Sequence, residues 1–303
     1  MVDVSVVIPT RDRMPMLRTA LRSALAQDGV TSEVIVVDDG SAHAVAPQCR
    51  DLNGRVAVHR LADPSGVSAA RNTGIAVARG RWIAFLDDDD AWAPTKLARQ
   101  LAAAAASDRN WVYAGYVDVD AGLELIGGTP PPDPDEVVDL LTGHNSVPAG
   151  ASSVVVRATA LTRAGGFDVG LQVHEDWDMW IRLARFGPPA SVPEPLVALR
   201  WHTSNRSSQM EAMLRELPVI AHRHDIAVDY SRHLRWAAWT EWRSGRSGAA
   251  VRRYLSAAMR GDLSSLGRAA VVCARPRGAR RRMAQRPPSN WAAAADAWLR
   301  ELR

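Results

Sequence analysis

Four aspartates in a row, Asp87-Asp-Asp-Asp90, stand directly after the apolar run Trp82-Ile-Ala-Phe-Leu86. Neighbouring carboxylates repel by about 1 kcal/mol at 4 Å even in water, and more where water is excluded. Such a run at the end of a buried strand calls for positive charge. A hard divalent cation, Mg2+ or Mn2+, meets that need through one or two carboxylates plus phosphate oxygens; a solvated acidic loop is the alternative. A second acidic group, His174-Glu-Asp-Trp-Asp178, heads a stretch in which Trp177, Trp180, Ile181 and Ala184 share one helical face. Glu175 and Asp176 then lie at a helix N-terminus, where the dipole favours negative charge. Each is either a cap or a carboxylate base for a hydroxyl.

Two more polar clusters follow apolar runs. Pro9-Thr10-Arg11 comes after Val4-Ser-Val-Val-Ile8, and Asp38-Asp39-Gly40-Ser41 after Val34-Ile-Val-Val37. A carboxylate in the second cluster can accept from a nucleobase N–H or a ribose hydroxyl, although Asp-Gly-Ser is also ordinary turn chemistry. Gly66-Val-Ser-Ala-Ala-Arg71 sets a glycine ahead of a helix with an arginine in its first turns. That arrangement suits a phosphate, or else the arginine points outward. No Gly-x-Gly-x-x-Gly follows a strand and no Gly-x-x-x-x-Gly-Lys-Ser/Thr occurs, which speaks against dinucleotide-dependent dehydrogenases and P-loop NTPases. A phosphatase with an aspartate nucleophile needs that residue after the first strand, where Pro-Thr-Arg stands.

These clusters require elements to carry them. Strands are predicted at Val4–Ile8, Val34–Val37, Val56–His59, Trp82–Leu86 and Ala151–Val156. Helices are predicted around Leu17–Leu25 and over Ala69–Ala78, Thr95–Ala106 and Trp177–Phe186. Strand and helix alternate, and the strands are continuously apolar, so the expected fold is α/β with a mostly parallel, Rossmann-like sheet covered on both faces. In such sheets ligands bind beyond the carboxyl ends of the strands, and three polar clusters fall there. The Pro-rich stretch Thr129–Pro134 reads as a surface loop, and beyond Ser207 the pattern turns helical. The expected organisation is a sheet domain over residues 1–205 and a helical, Arg- and Trp-rich extension over 206–303.

A chain of 303 residues suits one domain of about 200–250 residues with an extension. Cys49 and Cys273 lie far apart and read as free thiols in a reducing compartment. No apolar run approaches the roughly 20 residues that span a bilayer, and no secretory signal is evident, so a cytoplasmic location is expected. From Ser231 to Arg303 there are 16 arginines against 4 acidic residues, densest at Arg275–Arg282. The basic tail either contacts the anionic inner membrane face or is simply solvated; nothing points to nucleic acid. Trp236, Trp239 and Trp242 recur every three residues. They read as helix packing, with a homodimer face or a membrane contact as the other options.

Val4-Ser-Val-Val-Ile-Pro-Thr10, Val36-Val-Asp-Asp-Gly-Ser41, Ala70-Arg-Asn72, Ala84-Phe-Leu-Asp-Asp-Asp-Asp-Ala-Trp92, Gly165-Gly-Phe-Asp168 and Glu175-Asp-Trp-Asp178 together resemble glycosyltransferase family 2 in order and spacing, over roughly residues 3–205. The resemblance implies a GT-A fold, a nucleotide-diphosphate sugar donor (a UDP-sugar is favoured) and inversion at the anomeric carbon. It implies that Thr10 and Asp39, with Pro9 and Arg11 beside Thr10, line the nucleoside pocket and that Asp88 approaches the ribose. Arg71 joins them as the phosphate contact read above. Asp89 is implied as the Mn2+ or Mg2+ ligand with Asp87 as second candidate, and Asp176 as catalytic base with Glu175 beside it. His202, in Arg200-Trp-His-Thr-Ser204, falls where some members place a further metal or phosphate contact; a plain surface histidine is the other reading. The acceptor, whether polysaccharide, lipid-linked or small molecule, is not legible, although contacts to it are expected from Gly150–Ser153 and the Pro-rich loop. Two other functions fit parts of the pattern. A nucleotidyltransferase of the same fold would carry a glycine-rich loop that Pro9–Arg13 lacks, and a non-catalytic sugar-nucleotide or carbohydrate-binding homologue would not need Asp89 and Asp176.

Overall fold

Strand β1 (Val4–Thr10) is buried at all seven positions, as a strand covered on both faces must be. The computed structural model describes residues 2–52, 55–201, 209–274 and 289–303. β1 lies between β2 (Ser32–Asp38) and β4 (Trp82–Phe85), parallel to both, and β3 (Val56–Arg60) continues the parallel set beyond β2. The register pairs Thr10 with Asp38, so the carboxyl ends of these strands open on one rim, as the sequence predicts. Helix α1 (Met14–Leu25) buries Leu17, Ala20, Leu21 and Ala24; the two leucines contribute about 1.5–3 kcal/mol each. Helix α2 (Val67–Val77) approaches β1 so closely that a Cβ on Gly74 would lie 2.4 Å from Val7 Cγ1.

The other half of the sheet is mixed. β8 (Val155–Arg157) runs antiparallel to β4 and to β6 (Trp111–Val119), and β9 (Ala190–Arg200) runs parallel to β6. β5 (Ala91–Trp92) pairs antiparallel with β9, and β7 (Leu125–Thr129) with β6. The order is β3-β2-β1-β4-β8-β6-β9-β5, with β7 attached to β6. The expected strand over 151–156 begins instead as a 3-10 turn, Gly150–Ser153, and only then enters β8. The sequence pattern did not single out β6, β7 or β9. Pro193 and Pro195 argue against a strand over 190–200, but register shifts around Gly115 of β6 absorb them. Gly115 is required there, because a Cβ would sit 2.7 Å from Glu194 O. Helices α3 (Lys96–Ser107), α4 (Pro134–Leu140), α5 (Ala158–Ala164) and α6 (Glu175–Ala184) complete this layer.

The chain forms two compact units, one of residues 1–141, 145–201 and 288–303, the other of 142–144 and 202–287. The second unit is helical: α7 (Gln209–His224), α8 (Tyr230–Arg243), α9 (Ser247–Met259) and α10 (Ser264–Ala274). Trp239 and Trp242 pack there with Ala250, Tyr254, Ala269 and Val272, while Trp236 is exposed. Residues 289–303, grouped by composition with the extension, pack on the sheet. Ala292, Ala295 and Leu299 join Val117, Val119 and Ala198 in one apolar cluster, and Trp291 Nε1 donates to Pro193 O at 2.8 Å. Cys49 is buried and Cys273 exposed, both unbridged. No helix among the described residues is long and apolar enough to cross a membrane. His202 and the run Arg275–Arg282 lie outside the described residues.

Candidate active site

The site is built at the rim where β1, β2 and β4 end. Thr10, the last residue of β1, donates its hydroxyl to Asp88 Oδ2 at 2.6 Å. Arg13, one turn further on, sets Nη1 between Asp88 Oδ1 (3.1 Å) and Asp89 Oδ2 (3.0 Å). Burial, and then the neighbouring Asp89 charge, push the Asp88 carboxyl up to about 6. Pro9 is buried within β1, whereas Arg11 points to solvent and meets Asp12 at 4.0 Å. Arg13 was not foreseen; its only signal was a second arginine two residues beyond Arg11.

The four aspartates face different ways. Asp87 Oδ1 accepts from Arg71 Nη2 at 2.7 Å. Asp88 and Asp89 share Arg13. Asp90 turns inward, accepting from Ser152 Oγ at 2.6 Å and from the Arg200 N–H at 3.1 Å. It is fully buried, and burial followed by the charges of Asp89 and Asp87 raises its pKa well above the usual carboxylate range.

Asp39 accepts from Ser65 N–H (2.6 Å) and Gly66 N–H (3.0 Å), tying the rim of β2 to the entrance of α2. Asp38 is structural: it accepts from Ser41 N–H, Val45 N–H and Arg60. Asn72 brackets Phe167, donating to its carbonyl and accepting from its N–H, both at 2.8 Å. The Gly165–Asp168 loop is thereby anchored to α2.

Arg71 is not turned outward. Its side chain is 3% exposed, with Nη2 on Asp87 and Nη1 on Glu175 Oε1, each at 2.7 Å. Burial alone would lower its pKa, but the two carboxylates hold it above the usual value. The sequence placed a phosphate beside this arginine; in the structure both terminal nitrogens are committed to protein carboxylates 16 residues downstream and 104 residues downstream. The guanidinium therefore links the aspartate run to the N-terminus of α6.

At that N-terminus burial pushes Glu175 up to about 7, against the pull of Arg71. It pushes Asp176 up to about 6, again against Arg71. Asp176 Oδ1 accepts from Trp177 N–H at 2.6 Å and Oδ2 from Asn145 Nδ2 at 3.0 Å. Gly150 stands against the same oxygen, and a Cβ there would come within 2.9 Å of Oδ2. Asn145 carried no legible signal, and Gly150 was expected only as part of a segment contacting the acceptor. The helix itself is fixed by Trp177, whose Nε1 donates to Leu141 O at 2.9 Å, and by Trp180 stacked on Trp111 at 6.0 Å.

Among the described residues no group of three or more His, Cys, Asp or Glu side chains is arranged to hold a metal. Two carboxylate oxygens do converge on one point, where Arg13 Nη1 now stands as the cation. Hard oxygen donors in that number fit Mg2+ or Mn2+, which take one or two carboxylates and complete their shell with substrate phosphates. The donor set fits the metal that the family resemblance implies.

The family model described as Glycosyl transferase family 2 matches residues 5–143. An uncharacterized glycosyltransferase of Haemophilus influenzae is 27% identical over 210 residues, covering 67% of this chain and 70% of that protein. Residues 5–143 thus match glycosyltransferase family 2, and the relatives are glycosyltransferases over a longer stretch. These matches support transfer of a sugar from a nucleotide sugar. This glycosyltransferase is also 43% identical over 106 residues to the succinoglycan biosynthesis protein ExoO of Rhizobium meliloti, a match covering 35% of this chain and 30% of ExoO. Its fold is that of S. aureus TarS in complex with UDP-GlcNAc: TM-score 0.61, 15% identity, covering 83% of this chain and 80% of that one. The GT-A expectation holds, with a mixed half of the sheet added to the parallel half.

Proposed function

We propose that this glycosyltransferase moves a sugar from a UDP-linked donor to an acceptor hydroxyl with inversion, using Asp176 as base and Asp88 and Asp89 at a divalent cation. The observation that carries this reading is the Arg71 bridge. One buried guanidinium holds Asp87 and Glu175 at 2.7 Å each, and so fixes the base-bearing end of α6 beside the aspartate run. S. aureus TarS, which shares the fold, binds UDP and UDP-GlcNAc, which supports uridine as the nucleoside. ExoO, named for succinoglycan biosynthesis, supports a saccharide acceptor.

In this mechanism Thr10 and Asp39 border the nucleoside, and Asp88, which the resemblance set at the ribose, would together with Asp89 hold a divalent cation. A divalent ion there supplies charge neutralisation for the departing diphosphate. Asp176 accepts the acceptor hydroxyl proton as that oxygen bonds to the anomeric carbon. The bond from that carbon to the phosphate oxygen breaks on the opposite face, and its electron pair leaves with the diphosphate. The raised pKa of Asp176 makes it a stronger base than a solvated aspartate, and general-base assistance is worth about 10²–10⁴-fold in rate. Glu175 orients α6 through Arg71.

Thermal shift with UDP, with and without Mn2+, tests the donor site. Wild type is expected to gain stability only when both are present, and Asp89→Ala to lose that gain. A gain of the same size without metal, or one retained in Asp89→Ala, would remove Asp89 from the metal site.

A further inference from the structure

We propose that Ser152 is a positioning residue that fixes the Asp87–Asp90 turn and the Asp176 carboxylate in one rigid frame. The inference rests on the donor-site reading above but adds a residue that touches neither donor nor acceptor.

Four adjacent carboxylates repel one another and, left alone, would splay the turn that carries them. Asp90 N–H donates to Asp87 O at 3.1 Å, closing the turn. The Ser152 hydroxyl then clasps both ends. It accepts from Asp87 N–H at 3.0 Å and donates to Asp90 Oδ2 at 2.6 Å. With Asp90 drawn inward, Asp88 and Asp89 are left to face Thr10 and Arg13. Ala151, Ser152 and Ser153 are wholly buried, whereas Gly150 is half-buried.

The clasp is braced from behind. Trp92 Nε1 donates to Ser152 O at 2.8 Å, and Gln100 Nε2 donates to Ser153 O at 2.7 Å. Gln100 Oε1 accepts from Lys96 Nζ at 2.7 Å, and that nitrogen lies 3.9 Å from the centre of the Trp92 ring. Lys96 and Gln100 are both unexposed. Burial drives the pKa of the Lys96 amine well below its ordinary value, a desolvation cost that a leucine filling the same space would not carry. In front of the clasp the same 3-10 turn begins with Gly150, where a Cβ would come within 2.9 Å of Asp176 Oδ2. One four-residue turn thus touches the aspartate run through Ser152 and the base through Gly150.

Calorimetric titration of UDP, with and without Mn2+, into wild type, Ser152→Ala and Trp92→Phe tests the role. In Ser152→Ala, loss of the buried hydrogen bonds to Asp87 and Asp90 is expected to weaken Mn2+-dependent UDP binding about tenfold, leaving UDP binding without Mn2+ unchanged. Trp92→Phe keeps the hydroxyl and most of the packing, so a smaller loss of about threefold in the same direction is expected. Unchanged Mn2+-dependent affinity in either folded variant would overturn the proposal. So would equal weakening with and without Mn2+, which is what general loosening produces. Absence of any Mn2+-dependent binding in wild type would instead overturn the donor-site reading, and the positioning role with it.

Discussion

Replacing Arg71 with methionine removes a buried charge and leaves two carboxylates facing each other. Arg71 Nη1 and Nη2 each meet a carboxylate oxygen at 2.7 Å; the Glu175 side chain is 8% exposed and that of Asp87 34%. Breaking a fully buried pair costs about 3–5 kcal/mol, and the partial exposure of Asp87 puts the expected loss near the low end, about 3 kcal/mol. For a domain of this size each kcal/mol shifts Tm by about 2–4 °C, so a fall of about 6–12 °C is expected.

The loss should also depend on pH, and its sign follows from Glu175. Burial raises that carboxyl above its usual 4.5 to about 7 while Arg71 lowers it, so removing Arg71 raises it further. A carboxyl whose folded pKa exceeds its unfolded value contributes stability below the unfolded pKa and loses it as pH rises through the folded pKa. Near pH 5 Glu175 is protonated in the variant and sits neutral beside Asp87. Near pH 8 it must either ionise unpaired or hold a proton against the solution. Both forms keep Glu175 protonated below about 7, so the deficit against wild type should widen only above that, by up to about 1.4 kcal/mol between pH 7 and pH 8. Thermal melts at both pH values read this directly. Arg71→Lys keeps the charge but cannot span both partners, and should fall between wild type and Arg71→Met. A deficit independent of pH, or a fall below about 2 °C, would refute the bridge as the strut between the two acidic groups.

Further expectations concern turnover and metal. Asp176→Asn is expected to lower kcat by about 10²–10⁴-fold with UDP affinity retained; near-normal turnover would exclude it as the base. Because the base must be ionised and its pKa is raised to about 6, kcat/KM should rise with pH through about 6 and level off above it. Gly150→Ala places a Cβ 2.9 Å from Asp176 Oδ2 at a residue with φ +52°, and should lower kcat more than tenfold while Mn2+-dependent UDP binding persists. Arg13→Gln removes the cation now shared by Asp88 and Asp89. Calorimetry should show tighter Mn2+ binding in this variant without nucleotide, and weaker binding would mean that Arg13 does not compete for those oxygens.

Much of the parallel half was legible because it is local. A β-branched run followed at once by aspartates carries its polar group to the strand end, whatever the rest of the chain does. The strands at 4–10, 32–38, 56–60 and 82–85, and the helices after them, follow from that pattern. The mixed half was less legible because its pairing depends on distant partners. β9 tolerates Pro193 and Pro195 only because β6 shifts register at Gly115, and nothing near residue 193 announces it.

The sequence by itself determined which acids lie at which strand ends, and that α6 begins with Glu175 and Asp176. It could not say which way those acids face. Asp90 turns inward because the Ser152 hydroxyl, 62 positions away, and the Arg200 N–H, 110 positions away, donate to it there. Arg71 bridges two acids because Glu175, 104 positions on, comes to rest at its other end. Composition likewise assigned residues 289–303 to the helical tail, whereas an apolar cluster with β6 and β9 draws them to the sheet. Adjacency along the chain fixes where a side chain starts. Its direction and partner are set by contacts between segments far apart in sequence, and these exist only once the sheet has formed.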